Sequence, residues 1–219
     1  MRIAKVEAVP IRCELGRTYR STRMRRRYRD VVVTRIRTEQ GAEGHCFNAV
    51  SGTSPADVAN VILEEIAPAI VGVDLFAVEE VVKRAYRATY RYQRDLRISA
   101  RARASVDSAQ WDARGKAVGQ PLHRLWGGHS DPLPVIVWGG LVEEDRSLAD
   151  YGHEMECIRK FGAMADAGPL ELYPPELDPP YFEMLLNRPQ LKDGYCTLPE
   201  GPGWGMELDW AYVEKHRLG

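Results

Sequence analysis

The sequence predicts an α+β fold, and three observations carry that reading. Strand-like segments open the chain, helix-like segments follow them, and glycines and prolines mark a boundary near residue 130. Residues 2–12 alternate apolar and polar side chains, as a half-buried strand does. Residues 30–37 make a second strand, and residues 43–48 a third. Between these two, Gly41 and Gly44 supply the backbone freedom that a tight hairpin connection uses. The chain therefore opens as a three-stranded antiparallel meander.

The period changes at Ser54, where a serine N-cap is followed by Pro55 at the first helical position. Val58, Ile62, Ile66 and Ile70 then recur at helical spacing, and Pro68 and Gly72 bound the segment. A second helix is predicted over residues 75–92, with Val78, Val81, Val82 and Ala85 inward. A third runs over residues 99–118, where Ala102, Val106, Ala109, Ala113 and Ala117 form a narrow stripe. This unit of about 130 residues is expected to hold a core of its own and to fold alone. Beyond the boundary, residues 135–139 read as a strand buried on both faces and residues 147–161 as a helix. Regularity then stops in a segment rich in proline and glycine.

Composition narrows the function. The formal net charge is -1 with 44% hydrophobic residues, which argues against a nucleic-acid binder. No segment approaches the ~20 uninterrupted apolar residues of a membrane span. The N-terminus carries charges where a signal peptide is apolar, so cytoplasm is expected. Cys13, Cys46, Cys157 and Cys196 form no CxxC pair and read as reduced thiols. His45, His123, His129, His153 and His216 form no metal-binding cluster, so a metal would have to come through carboxylates.

Residues 104–128 read ASVDSAQWDARGKAVGQPLHRLWGG, with Trp111, Asp112, Gly115, Lys116, Gly119, Gln120, Pro121, Gly127 and Gly128 at fixed spacing. This resembles the signature that closes the capping domain in the mandelate racemase and muconate lactonizing branch of the enolase superfamily. The opening strands are similar to that family's first hairpin. Residues 193–209 resemble the segment by which its C-terminus returns to the cap. The resemblance implies an α+β cap over a (β/α)8 barrel. In the family, three barrel carboxylates hold magnesium, and a lysine or histidine base removes the proton α to a substrate carboxylate. Its substrates are mostly acid sugars.

The resemblance also shows what does not fit in. A (β/α)8 barrel takes about 200 residues, and residues 132–193 leave room for two of its strands. The expected organisation is a cap at 1–130, a first barrel βα unit at 131–163, and an eighth-strand remnant with the returning tail at 164–219. The base and all three metal carboxylates belong to the missing part, so no cofactor is expected from this chain. Glu171 matches the family's electrophilic glutamate by position; read from the residues alone, it is a solvated carboxylate on a proline-rich loop. Residues 17–29 hold seven arginines and are expected to be a loop: a solvated one, the family's lid with Arg23, Arg25 and Tyr28 toward an anionic substrate, or a nucleic-acid contact, which the net charge of -1 disfavours. Asn48 and Ser51 occupy the second specificity segment.

The function expected is that of a truncated acid-sugar dehydratase or racemase-like protein that is not catalytic alone. The alternatives are a magnesium-dependent lyase completed by another chain, or an assembly module. Loss of the barrel helices is expected to bare the alanine stripe, residues 135–138, Leu141, and Trp204, Trp210 and Tyr212. A homo-oligomer, or pairing with a full-length relative, would cover them.

Overall fold

In the computed structural model, all residues are described except 22–23, 51, 91–94, 129–131, 138–141, 144–146, 161–169, 173–179 and 189–190. Three antiparallel strands form the meander: β1 (Ile3–Ser21), β2 (Met24–Thr38) and β3 (Glu43–Ala49). β2 lies between the other two. Residues 17–21 and 24–29, expected to belong to an arginine-rich loop, are strand instead. Cross-strand pairs run out to Tyr19 with Arg26, Arg20 with Arg25 and Ser21 with Met24. Charged residues on both faces hide the alternation, so the segment reads as a loop although its backbone pairs.

The helical layer begins with α1 (Pro55–Asn60), where the Ser54 hydroxyl accepts the Asp57 N–H as the cap. A π-helical turn (Val61–Ile66) and α2 (Ala67–Ile70) continue it without a break. α3 (Val78–Tyr90) and α4 (Leu96–Ala117) follow, and Asp95 caps α4 by accepting the Arg97 N–H. α4 thus starts three residues before the sequence suggests. Val81 and Ala85 are buried as expected, but Val82 is exposed.

The sheet has two cores, split by the twofold side-chain period. Val6, Ala8, Val32 and Ile36 face the helices, where Ala102, Val106, Ala109 and Ala113 pack against them. The alanine stripe therefore meets its own sheet and is not a bare face. Val9, Ile11, Cys13, Val31 and Val33 face the other way, against Met184, Leu185, Leu208 and Val213. The C-terminal segment supplies that second layer, and the short helix α7 (Trp210–Lys215) closes it. Trp210 and Tyr212 pack partly buried against this core and are therefore not the bare aromatics expected.

After the short helix α5 (Leu122–Leu125), β4 (Leu133–Val137) leads to β5 (Val142–Glu143), α6 (Leu148–Lys160) and β6 (Leu170–Leu172). β4 pairs parallel with β6, placing Ile136 opposite Glu171. On its other side, Leu133 and Pro134 pair with the hairpin of β7 (Leu191–Lys192) and β8 (Tyr195–Cys196). β4 therefore has a neighbour on each edge. The side chains of residues 133–146 and of Glu171 lie outside the described residues.

Candidate functional site

A basic cleft of about 460 Å³ forms where the arginine strand meets the loop after β3. β2 contributes Arg25, Arg26, Tyr28 and Arg29, and the loop contributes Gly52, Thr53 and Ser54. Gly52 turns the loop with φ +72, a conformation that side chains disfavour. Val50 N–H donates to the Asp30 carbonyl at 2.9 Å, which fixes the loop to the strand. From α4, Arg101 donates to the Thr53 hydroxyl at 2.5 Å.

Below the cleft, Arg12 on β1 donates two hydrogen bonds to Asp30, at 2.7 and 2.9 Å. This pairing raises the guanidinium pKa. The same guanidinium lies 3.7 Å from the centre of the Tyr28 ring, holding that half-exposed ring in place. Tyr19 and Arg20 also pair with β5, which follows β4 directly. The arginine hairpin is thereby tied to the chain leaving the C-terminal end of β4, the end where barrel enzymes place their chemistry. Arginine forks and hydroxyls around an open cleft suit a carboxylate or other small anion.

Of the residues singled out by sequence, Arg25 and Tyr28 line this cleft. Arg23 and Ser51 lie outside the described residues. Asn48 is not brought there: its side chain donates to the Ser105 hydroxyl at 2.7 Å and borders a separate cleft of about 240 Å³ with His45 and Trp204. Burial pushes the neighbouring Cys46 thiol up to about 12, which leaves it without nucleophilic character at neutral pH. Thr53, Arg101 and the Arg12–Asp30 pair were missed. The register of β1 on β2 is the signal that would have found that pair.

The motif at residues 104–128 has a structural explanation. Asp112 is fully buried at the junction of β3, α4 and the tail. It accepts the backbone N–H groups of His45 and Trp204, each at 2.8 Å. Lys116, one turn on, places its ammonium 2.9 Å away. The Trp204 indole donates to the Ser108 carbonyl at 3.1 Å, and Trp126 stands edge-on to both Trp111 and Trp204.

A family model described as the mandelate racemase / muconate lactonizing enzyme N-terminal domain matches residues 8–127. This chain belongs to that family. Within it, the D-mannonate dehydratase of Novosphingobium aromaticivorans is 35% identical over 200 residues, covering 85% of this chain and 44% of that protein. The chain thus spans less than half the length of this curated relative. A solved enolase-superfamily member from Polaromonas sp. JS666 is 27% identical with a TM-score of 0.64, over 76% of this chain and 45% of that one. The L-talarate/galactarate dehydratase of Salmonella typhimurium LT2, solved with Mg and L-lyxarohydroxamate, aligns over 100% of this chain and 93% of its own. Its TM-score is 0.82 at 13% identity, a likeness of fold.

Magnesium, present in that neighbour, needs several converging oxygen ligands. Among the described residues, no three His, Cys, Asp or Glu side chains converge to hold an ion. The residues described do not fit the group. Among the same residues, no helix is long and apolar enough to cross a membrane.

Proposed function

We propose that this chain is the cap of an acid-sugar dehydratase-type protein joined to the first and last strands of a barrel, and that it does not catalyse dehydration alone. The parallel pairing of β4 with β6 carries this reading. In a closed eight-stranded barrel the first and eighth strands are neighbours. Here they are neighbours with only residues 138–169 between them, and α6 takes up thirteen of those. A single βαβ crossover needs about 30 residues, so no further barrel strand has room. The family's base and metal carboxylates would stand on such strands. Removing a proton α to a carboxylate requires a base and a stabilised enediolate together, and Glu171 alone supplies neither.

The cleft at Arg25 and Tyr28 retains the capacity to take up a sugar-acid carboxylate. The dehydratase relatives make that class of ligand the natural one. The test is an assay of the purified chain with D-mannonate and magnesium, following formation of a 2-keto-3-deoxy acid. No turnover is expected. Metal-dependent turnover by the chain alone would overturn the proposal.

One observation favours a second reading, an enzyme completed by another chain. β6 ends its sheet, so among the described strands its outer edge takes no partner and could accept the next parallel strand. Turnover that appears only on co-expression with a protein supplying the other six strands would establish it.

A further inference from the structure

A second cleft, of about 220 Å³, opens in the helical layer and shares no lining residue with the basic one. On one side, α1 and the π-helical turn contribute Asp57, Val61, Glu64 and Glu65. On the other, the facing ends of α3 and α4 contribute Thr89, Ile98 and Ser99. Positions 57, 61 and 64–65 recur at helical spacing, which puts the three carboxylates on one side of the helix. Among the described residues none of the three stands in an ion pair. Arg103 donates to the Thr89 hydroxyl at 2.7 Å and lies over the Tyr86 ring, without pairing to those acids. Thr89 in turn donates to the Ala85 carbonyl at 3.0 Å. Ser99 is different. It is 6% exposed and lines the cleft, yet among the described residues its hydroxyl has no hydrogen-bond partner. Buried hydroxyls ordinarily have one within the fold, and this one faces the cleft instead.

We propose that this cleft binds a linear aliphatic diamine or polyamine. The acids set the sign of the ligand, and their spacing sets its form. Asp57 and Glu65 stand on the order of 10 Å apart along the helix axis, too far to close on one ion. Consistent with this, no three His, Cys, Asp or Glu side chains among the described residues converge to hold a metal. Two positive charges joined by a flexible chain fit that separation. Val61, between the acids on the helix, and Ile98, across the cleft, are partly buried and packed on the core. They offer apolar surface to the methylene groups, as such surfaces do to the stem of a lysine. The ammonium groups pair with the carboxylates, and an N–H of one donates to the Ser99 hydroxyl.

Calorimetric titration of the full chain with putrescine and with spermidine, at fixed ionic strength, tests this. Saturable binding of one amine per chain is expected. n-Butylamine, which keeps the methylene chain but only one of the charges, should bind at least about fivefold more weakly than putrescine. Glu65→Gln and Ser99→Ala should each lower the affinity for putrescine by roughly threefold to tenfold. Because the Ser99 hydroxyl has no partner within the fold to lose, Ser99→Ala should melt with the parent, which separates loss of ligand from loss of structure. No saturable binding of either amine into the millimolar range overturns the proposal. So does binding that neither variant weakens, which would place the ligand elsewhere. Displacement of putrescine by an equal concentration of magnesium chloride would also overturn it, since that would mean diffuse attraction of any cation to an acidic surface.

Discussion

The buried carboxylate of Asp112 accepts the backbone N–H of Trp204 at 2.8 Å, joining positions 92 residues apart. This one bond fixes the returning tail to the helix that carries the family signature. The other carboxylate oxygen serves the His45 N–H and the Lys116 ammonium. Asp112→Ala would leave two buried N–H donors and a cation without their acceptor. The expected loss is about 3–5 kcal/mol, read as a shift in the denaturant midpoint at constant slope. A loss below about 1 kcal/mol would mean the tail is held by other contacts.

Gly203 approaches the same carboxylate so closely that a Cβ would enter Asp112, and its φ is +69. Gly41 has φ +86 and open space around it. Gly41→Ala should therefore cost only left-handed backbone strain, about 1–2 kcal/mol. Gly203→Ala should cost distinctly more, because strain and collision add. Equal costs in parallel denaturation curves would remove the close packing of tail on helix from the account.

His45 gives the fold a pH dependence. Its Nε2 donates to the Met206 carbonyl at 2.9 Å, which leaves Nδ1 as acceptor for Lys116 at 3.3 Å. The ring is neutral in this arrangement. Burial, then the Lys116 charge, lowers its pKa from the usual 6.5. The unfolded chain consequently binds a proton at higher pH than the folded one. The stability concerned is fully present above about pH 6.5 and is lost as pH falls toward the lower folded value. Denaturation midpoints should drop between about pH 7 and about pH 5, and His45→Gln should flatten that drop. An unchanged slope in the variant would assign the effect to other groups.

How much of this was legible in the sequence depends on where the signal lies. The Ser54 cap, the alanine stripe and the order of strands then helices are local, and the structure has them all. The strand at Arg25–Arg27 was hidden because a charged segment shows no alternation, and its pairing depends on β1. Val82 was placed inward because it adjoins Val81, yet helical rotation turns it about 100° away. Residues 2–12 were read as half-buried and the second strand carried no burial reading; Val31, Val32 and Val33 are all covered because the distant tail forms a second layer. Of the residues that line the cleft, Arg25 and Tyr28 were singled out through the family resemblance. Asn48 was drawn away by Ser105, a contact that only the packing of β3 on α4 creates.

That second layer has a measurable consequence. A fragment of residues 1–130 keeps the core between sheet and helices but bares Ile11, Val31 and Val33, which the full chain covers with Leu208 and Val213. It should melt cooperatively at a temperature well below that of the full chain and bind a hydrophobic dye. In the full chain, Leu208→Ala should cost about 2–5 kcal/mol. A fragment as stable as the parent would show that the tail only rests on the sheet.

Calorimetric titration of the full chain with magnesium decides whether residues 138–169 leave no room for the strands that carry the family's metal ligands. No saturable heat is expected into the millimolar range, because hard cations bind tightly only where several oxygens converge. Saturable binding of one magnesium per chain at micromolar affinity would contradict it.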